Sequence, residues 1–291
     1  MKLAVIIPTH NRSSLLKNLL SQMFLQKGNT FLEISVIIID DGSRDGTREM
    51  LNVDFPDVHV IDGTGEWWYT KSMNEGFGYA IGFKPDYLLT LNDDVELHEN
   101  YFAKVYDTIK SIPCESIVGS ASFTISKPHK IVTSGNIWKF RPLGVSKPRI
   151  PMFNKIDPNE LRGCFKSEIL SGRGMLIPIH VLMKLNMFDE KFIQYHSDGD
   201  FCLRGNKLGI PVLISYDMRL FIHHELTSGS TSYIRKSMRS TLKSFSDPYS
   251  RNYLKSKVLF ANRHYSRFFM PVTVIAFILL IILKSIFTKE R

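Results

Sequence analysis

Short unbroken apolar runs alternate with stretches of helical spacing four times in the first 112 residues. The runs "KLAVIIPT" (2–9), "EISVIIID" (33–40), "VHVID" (58–62) and "DYLLTLNDDV" (86–95) are rich in Val, Ile and Leu, too short for helices and bounded by turn residues. That pattern predicts strands buried on both faces. Between and after them, "NRSSLLKNLLSQMF", "REML", "TKSMNEGFGYAIGF" and "ENYFAKVYDTIKSI" predict helices, with "DGSRDGT" as the turn and N-cap before the second. Strand–helix alternation of this kind predicts an α/β fold with a mostly parallel sheet. Ligands of such sheets gather beyond the carboxyl ends of the strands. Pro8-Thr9, Asp40-Asp41 and Asn92-Asp93-Asp94 all fall there.

From residue 116 the pattern turns mixed. "SIVGSASF" and "KIVTSGNIW" predict a strand pair, "ILSGRGMLIP" a strand with a glycine-loosened middle, "HSDGDFCLRGNKLG" a short helix and "VLISYDMRLFIHHE" closing strand material. The chain therefore divides into 1–115, a nucleotide-type half; 116–233, a second half; 234–267, a basic and aromatic helical extension; and 268–287, an apolar helix. Residues 268–283, "FFMPVTVIAFILLIIL", carry no charge. That run is slightly short of the roughly 20 residues of a comfortable span and too apolar all round for a surface helix. Membrane attachment is the expectation, with a buried or dimerisation helix as the alternative. Arg263 and Arg267 ahead of the run would keep the folded part on the cytoplasmic side. The opening "MKLAVIIPTH" reads as a strand and turn rather than a signal peptide.

Composition changes this picture only modestly. In 291 residues, 37 Lys+Arg against 28 Asp+Glu give a net charge of +9, which suits anionic partners. Much of the excess lies after residue 234, so it is regional, and no nucleic-acid-binding module accompanies it. Three cysteines without CxxC spacing point to a reducing compartment and no structural zinc, with Cys202 as helix packing.

The candidate chemistry sits at the strand ends. Two adjacent carboxylates, Asp93 and Asp94, are costly together without a positive partner between them. Asn92-x-Asp94 offers oxygen ligands of the kind Mg²⁺ or Mn²⁺ prefers, a shell that water and phosphates normally complete. The pair could equally serve as an acid/base couple.

"VIIPTHNR", "VIIIDDGSRDGT", "NDDVEL", "FDEKFIQYHSDGDFCLR" and "FIHHELTSGS" stand in an order and spacing that resembles the inverting GT-A glycosyltransferases of family 2, particularly the bacterial rhamnosyltransferase-like and galactofuranosyltransferase-like members. The resemblance covers roughly residues 2–265 and implies a Rossmann-like nucleotide half joined to a mixed acceptor half. It implies that Pro8, Thr9 and Asn11 line the base pocket, that Asp40 reads a uracil or thymine edge beside Asp41, and that Arg12 helps with the phosphates. The metal motif falls on Asn92-Asp93-Asp94, with Asp94 the principal ligand, Asn92 the weaker one and Asp93 beside the donor. His223 or His224 would be a further metal or diphosphate ligand, His223 being favoured, against a plain strand-end turn residue. Asp198 takes the place of the base that accepts the proton of the attacking hydroxyl. Asp200 would orient the acceptor or act structurally through Arg204 at i+4. Ser197 departs from the acid usual at its position. Asn74 matches a position near the donor sugar, and Trp67 and Trp68 are either core or a stacking wall for the acceptor.

The function so implied is a metal-dependent transfer of one sugar, rhamnose first and galactose or another hexose next. The donor would be dTDP- or UDP-linked and the acceptor a lipid-linked glycan of cell-surface polysaccharide biosynthesis. Neither the QxxRW sequence nor the several spans of processive synthases is present. The competing reading is a non-catalytic sugar-nucleotide-binding subunit of a membrane assembly complex, mildly favoured by Asn92 and Ser197. A nucleic-acid partner is not expected.

Overall fold

In the computed structural model, residues 1–28, 30–223 and 238–287 are described. The chain opens with β1 (Lys2–Thr9), α1 (Ser13–Lys27), β2 (Glu33–Asp40), α2 (Thr47–Asp54), β3 (His59–Asp62), α3 (Trp68–Ile81) and β4 (Tyr87–Thr90). Next come β5 (Val95–Leu97), α4 (Tyr101–Ser111), β6 (Ile117–Thr124), β7 (Ile131–Thr133) and the hairpin of β8 (Asn136–Phe140) and β9 (Val145–Pro148). β10 (Cys164–Lys166), β11 (Met175–Pro178), α5 (Ile179–Lys184), α6 (Ser197–Lys207) and β12 (Val212–Ile222) complete the sheet region, and α7 (Met238–Ser246), α8 (Leu254–His264) and α9 (Met270–Phe287) end it.

The main sheet runs β10-β12-β6-β11-β4-β1-β2-β3, with β5 on β12 and β7 on β6. β1 is parallel to β2 and β4, β2 to β3, and β6 to β12, while β11 lies antiparallel between β4 and β6. Residues before and after 116 thus share one sheet.

Strand periodicity explains why that sheet is covered twice. Along β1, Leu3, Val5 and Ile7 enter one apolar cluster, and Ala4 and Ile6 the other. Leu16, Leu19, Leu20 and Met23 of α1, one helix face, close the first side. Met73, Phe77 and Ala80 of α3 close the second. A Cβ on Gly76 would stand 2.6 Å from Ile6 Cγ2 and 2.8 Å from Ile39 Cδ1, so α3 seats on the sheet only without a side chain there.

Three expectations need correction. "DYLLTLNDDV" is not one strand. β4 ends at Thr90, Asn92–Asp94 turn, and β5 pairs instead with β12, because the carboxylates of the turn are held by β1-side residues. "ILSGRGMLIP" is strand only from Met175, since Gly172 and Gly174 bend the segment before it. The apolar tail forms α9, which packs on α7 and α8, but among the described residues no helix is long and apolar enough to cross a membrane. No spanning segment therefore supports the expected membrane attachment. Cys202 is buried on α6 as expected.

Candidate active site

The carboxyl ends of β1, β2 and β4 lie side by side, the loop before β11 links them to the start of α6, and the positive partner of the paired carboxylates is found there. Arg12, just after β1, places Nη1 3.0 Å from Asp93 Oδ1 and 3.5 Å from Asp94 Oδ2. Arg173 approaches Asp94 Oδ2 from the other side at 3.6 Å. Thr9 donates its hydroxyl to Asp93 Oδ2 at 2.9 Å. Both oxygens of Asp93 are therefore spent inside the protein. Burial pushes this carboxyl up to about 6 in spite of Arg12, with the Asp94 charge adding to the rise. Asp93 and Thr9 brace the turn and have no capacity left for a donor.

Asp94 is different. It is buried, and its Oδ1, like Asn92 Oδ1, is a buried oxygen with no hydrogen-bond partner. Two orphaned oxygens two residues apart fit a hard cation such as Mg²⁺ or Mn²⁺, with water and substrate phosphates supplying the remainder of the shell. Among the described residues no group of three or more His, Cys, Asp or Glu forms a complete metal cage. His223 follows β12 directly, where Ile222 pairs with Val95, so it arrives beside the Asn92–Asp94 turn. Its Nε2 lies 3.3 Å from Glu96 Oε1. His224 lies outside the described residues.

The residues expected to hold the nucleotide separate into two kinds. Asp41 accepts from the backbone N–H of Gly65 (2.8 Å), Trp67 (2.9 Å) and Trp68 (3.0 Å), and so builds the start of α3 rather than facing a ligand. The turn needs glycine at 42, where φ is +74° and a Cβ would meet Gly65 N at 2.9 Å. Asp40 accepts from Ser43 N at 3.0 Å through Oδ1 alone, and Oδ2 makes no hydrogen bond among the described residues. That oxygen is the one able to meet a base edge. Pro8 pairs with Ile39 within the sheet. Asn11 is spent locally, its N–H on Ser43 Oγ, its Oδ1 accepting from Arg44 N and its Nδ2 against His10. Asn74 bonds Phe188 through both ends of its amide and Glu190 through Nδ2, a brace between α3 and the loop before α6 rather than a donor contact.

On α6, Asp198 is held by two backbone donors, Gly172 N to Oδ2 at 2.9 Å and Gly199 N to Oδ1 at 2.8 Å. Burial raises this carboxyl above the usual aspartate range, and those N–H groups and the Arg173 charge only partly offset it. A desolvated carboxylate, oriented by backbone and able to take a proton, is what a general base requires. Ser197 accepts from Thr70 Oγ1 at 2.9 Å and links α6 to α3, so its position is structural.

Asp200 is fully buried and bonded to Arg204 Nε (2.7 Å), Arg263 Nη1 (2.7 Å) and His264 Nε2 (2.8 Å). The expected pair with Arg204 is present. The acceptor role is not, because Arg263 and His264 of α8 take Oδ1, Arg204 takes Oδ2 and the residue is fully buried. Trp68 stacks on Tyr249 at 3.8 Å with 17° between planes, and Lys71 Nζ lies 5.2 Å over the Trp67 ring. Trp67 packs against the apolar cluster on the α3 side of the sheet, whereas Trp68 is exposed.

Two residues escaped sequence reasoning. Arg173 and Tyr69 each carry a buried, unpartnered polar atom, Nε and Oη. A Cβ at Gly172 would stand 1.8 Å from Tyr69 Oη, and the Asp198 charge, after burial, raises the phenol. The glycines on either side of Arg173, in a run otherwise read as strand, were the available signal.

Comparison with known proteins agrees with this geometry. The fold matches that of GalNAc-T7 solved with UDP, GalNAc and Mn²⁺ (TM-score 0.59, 14% identity, 93% of this chain and 56% of that one). It also matches S. aureus TarS 1-349 (TM-score 0.55, 11% identity, 98% and 90%). Both place the architecture among GT-A folds. The model of Glycosyl transferase family 2 matches residues 4–170, more than half of the sequence, and the chain belongs to that family. That family is one of glycosyltransferases. The rhamnosyltransferase WbbL of Escherichia coli K12 is 22% identical over 90% of this chain and 96% of its own. The low-salt glycan biosynthesis hexosyltransferase Agl10 of Haloferax volcanii is 22% identical over 72% of this chain, which spans only 63% of that relative. Asp198 and the last helices lie beyond the residues matched by the family model.

Proposed function

We propose that this chain is an inverting transferase that moves a single sugar from a nucleotide donor to a lipid-linked glycan in cell-surface polysaccharide biosynthesis. Rhamnose from dTDP-rhamnose is the first choice, supported by the end-to-end likeness to a protein named rhamnosyltransferase. Galactose or another hexose from a UDP donor is next, supported by the hexosyltransferase relative. The observation that carries the catalytic reading is the half-buried Asp198 carboxylate, raised by desolvation and aimed by the Gly172 and Gly199 N–H groups.

In this mechanism Asp198 takes the proton of the acceptor hydroxyl as its oxygen attacks the anomeric carbon. The sugar–oxygen bond to the diphosphate breaks on the opposite face, and its electron pair leaves with the nucleoside diphosphate. Asp40 offers Oδ2 to the base, and Arg12 faces the phosphates while still bracing Asp93. Asn92 and Asp94 would hold Mg²⁺ or Mn²⁺, which supplies Lewis-acid stabilisation of the departing diphosphate. Trp67, Trp68 and Tyr249 wall the acceptor side with aromatic faces.

Attachment to the cytoplasmic face of the membrane belongs to the same reading, as an interfacial rather than a spanning contact. Phe268, Val272, Ile275, Leu279 and Leu283, three or four residues apart, are all exposed, on and just before a helix whose other side rests on α7 and α8. Such a stripe beside a basic extension suits an anionic bilayer surface. The decisive test is a panel of dTDP- and UDP-sugars, with and without Mn²⁺ or Mg²⁺, scored by binding and slow donor hydrolysis. Turnover of one donor, stimulated by the ion, is expected, and no response to any donor would overturn the proposal.

A further inference from the structure

Two inward-facing arginines of this protein bond through every guanidinium nitrogen. Arg204 bonds Asp200 and the carbonyls of Leu185 and Met187, and Arg219 bonds Asn159 and the carbonyls of Tyr216 and Leu161. Arg173 is not bonded in this way. Its side chain is only 23% exposed, yet its guanidinium makes no hydrogen bond among the described residues. Nε is buried without a partner, and Nη2 stands 3.6 Å from Asp94 Oδ2, beyond hydrogen-bond range. A buried Nε left unsatisfied is costly, and so is the unpartnered Oδ1 of Asp94. Each is short of a partner that the other does not supply.

The backbone beneath Arg173 is nevertheless pinned on both sides. Gly172 donates to Asp198 Oδ2 and accepts from Thr90 Oγ1. Gly174 donates to Thr90 O at 2.7 Å and accepts from both N and Oγ of Ser120 at 2.9 Å. A Cβ on Gly174 would fall 2.4 Å from Ser120 Oγ, so this loop is packed against β6 and cannot drift. An arginine held rigidly at its Cα, unspent at its head and placed between Asp94 and the base Asp198 is a preorganised anion site.

We propose that Arg173 is the clamp for the donor's sugar-linked β-phosphate, kept waiting beside Asp94 until substrate arrives. The proposal rests on the nucleotide-sugar reading above. It assigns the two guanidiniums of the cleft different tasks: Arg12 is committed to Asp93 at 3.0 Å, whereas Arg173 is free to present its planar fork to two phosphate oxygens. When the sugar–oxygen bond breaks, the electron pair and its charge pass to the β-phosphate, where the fork binds more tightly than in the ground state. The acceptor proton goes to Asp198, and no further reactant is needed.

The test is titration calorimetry with UDP and UMP, and with dTDP and dTMP, in the presence of Mg²⁺. Wild type, Arg173→Gln and Arg173→Lys are compared, and thermal melting reports the fold of each. Removing a charge-assisted phosphate contact should weaken nucleoside diphosphate binding about tenfold or more in Arg173→Gln. Monophosphate affinity should stay within about twofold, and Arg173→Lys should fall between, restoring charge without the fork. Should Arg173→Gln fail to fold, the lysine variant decides by the same difference. Equal loss for mono- and diphosphates, or loss for neither, would show that Arg173 only screens Asp94 and would overturn the clamp. A wild type that binds no nucleotide would instead remove the donor reading itself, and the clamp with it.

Discussion

Asp198 owes its character to a conflict between burial and its partners. Desolvation opposes its charge, while two backbone N–H groups and Arg173 favour it, and burial wins. A base so raised is fully ionised only well above the ordinary aspartate value of about 4, so kcat/KM should climb with pH above that point. Asp198→Asn keeps the shape but cannot take the proton. It should lower kcat by about 10²–10⁴-fold while donor affinity, read by calorimetry, is retained. Loss of donor binding in step with kcat would mean that Asp198 belongs to the donor site and not to the base. At this scale the sequence showed where carboxylates cluster and that Asp198 opens a helix. It could not show that Thr9 and Arg12, 84 and 81 residues away along the chain, use up Asp93, or that Asp41 is saturated by the backbone of residues 65–68. Such contacts depend on folding, and nothing in local composition marks them.

Among elements, the join between α6 and α8 is the most exacting. Asp200 answers two arginines and a histidine from within the core. Burial alone would raise it, but the bonds from His264 and Arg204 hold it down to about 2. A carboxyl depressed in the folded state below its ordinary value near 4 stabilises the fold above that pH, and the contribution is lost as pH falls toward 2. Thermal melts should therefore show acid destabilisation over that interval that is missing from Asp200→Asn. The same variant, leaving Arg204 and Arg263 without their buried counter-charge, should cost about 3–5 kcal/mol at neutral pH. A neutral-pH loss under about 1 kcal/mol would contradict the burial of this cluster. Gly76 makes the corresponding claim for α3. Gly76→Ala must push its methyl into Ile6 and Ile39, and a loss of about 1–3 kcal/mol in a denaturant titration is expected. The elements themselves were largely legible, since β1, β2 and α1 follow simple two- and 3.6-residue periods. Asn92–Asp94 and the Gly172–Gly174 loop were misread as strand because apolar neighbours mask a break that exists to aim side chains.

At the scale of the molecule, one sheet joins the nucleotide end to the acceptor end, with β11 inserted antiparallel between β4 and β6. That insertion carries the Arg173 loop to the boundary between Asp94 and Asp198, which lie more than a hundred residues apart in the chain. In the proposed interfacial attachment, the exposed stripe along α9 would turn the basic C-terminal side toward an anionic surface. Ile275→Glu with Leu279→Glu removes two apolar contacts of roughly 1.5–3 kcal/mol each, and co-sedimentation with anionic vesicles should weaken at least tenfold. Unchanged vesicle binding would place the membrane contact elsewhere. The central claim is that one cleft binds a sugar nucleotide and that Asp198 activates the acceptor against it. The most direct measurement is the pre-steady-state rate of donor consumption at saturating dTDP-rhamnose or UDP-hexose with Mg²⁺ or Mn²⁺, wild type beside Asp198→Asn. Consumption by the wild type, with a loss of about 10²-fold or more in the variant at unchanged donor affinity, is the expected result. Equal rates in the two proteins would contradict the account.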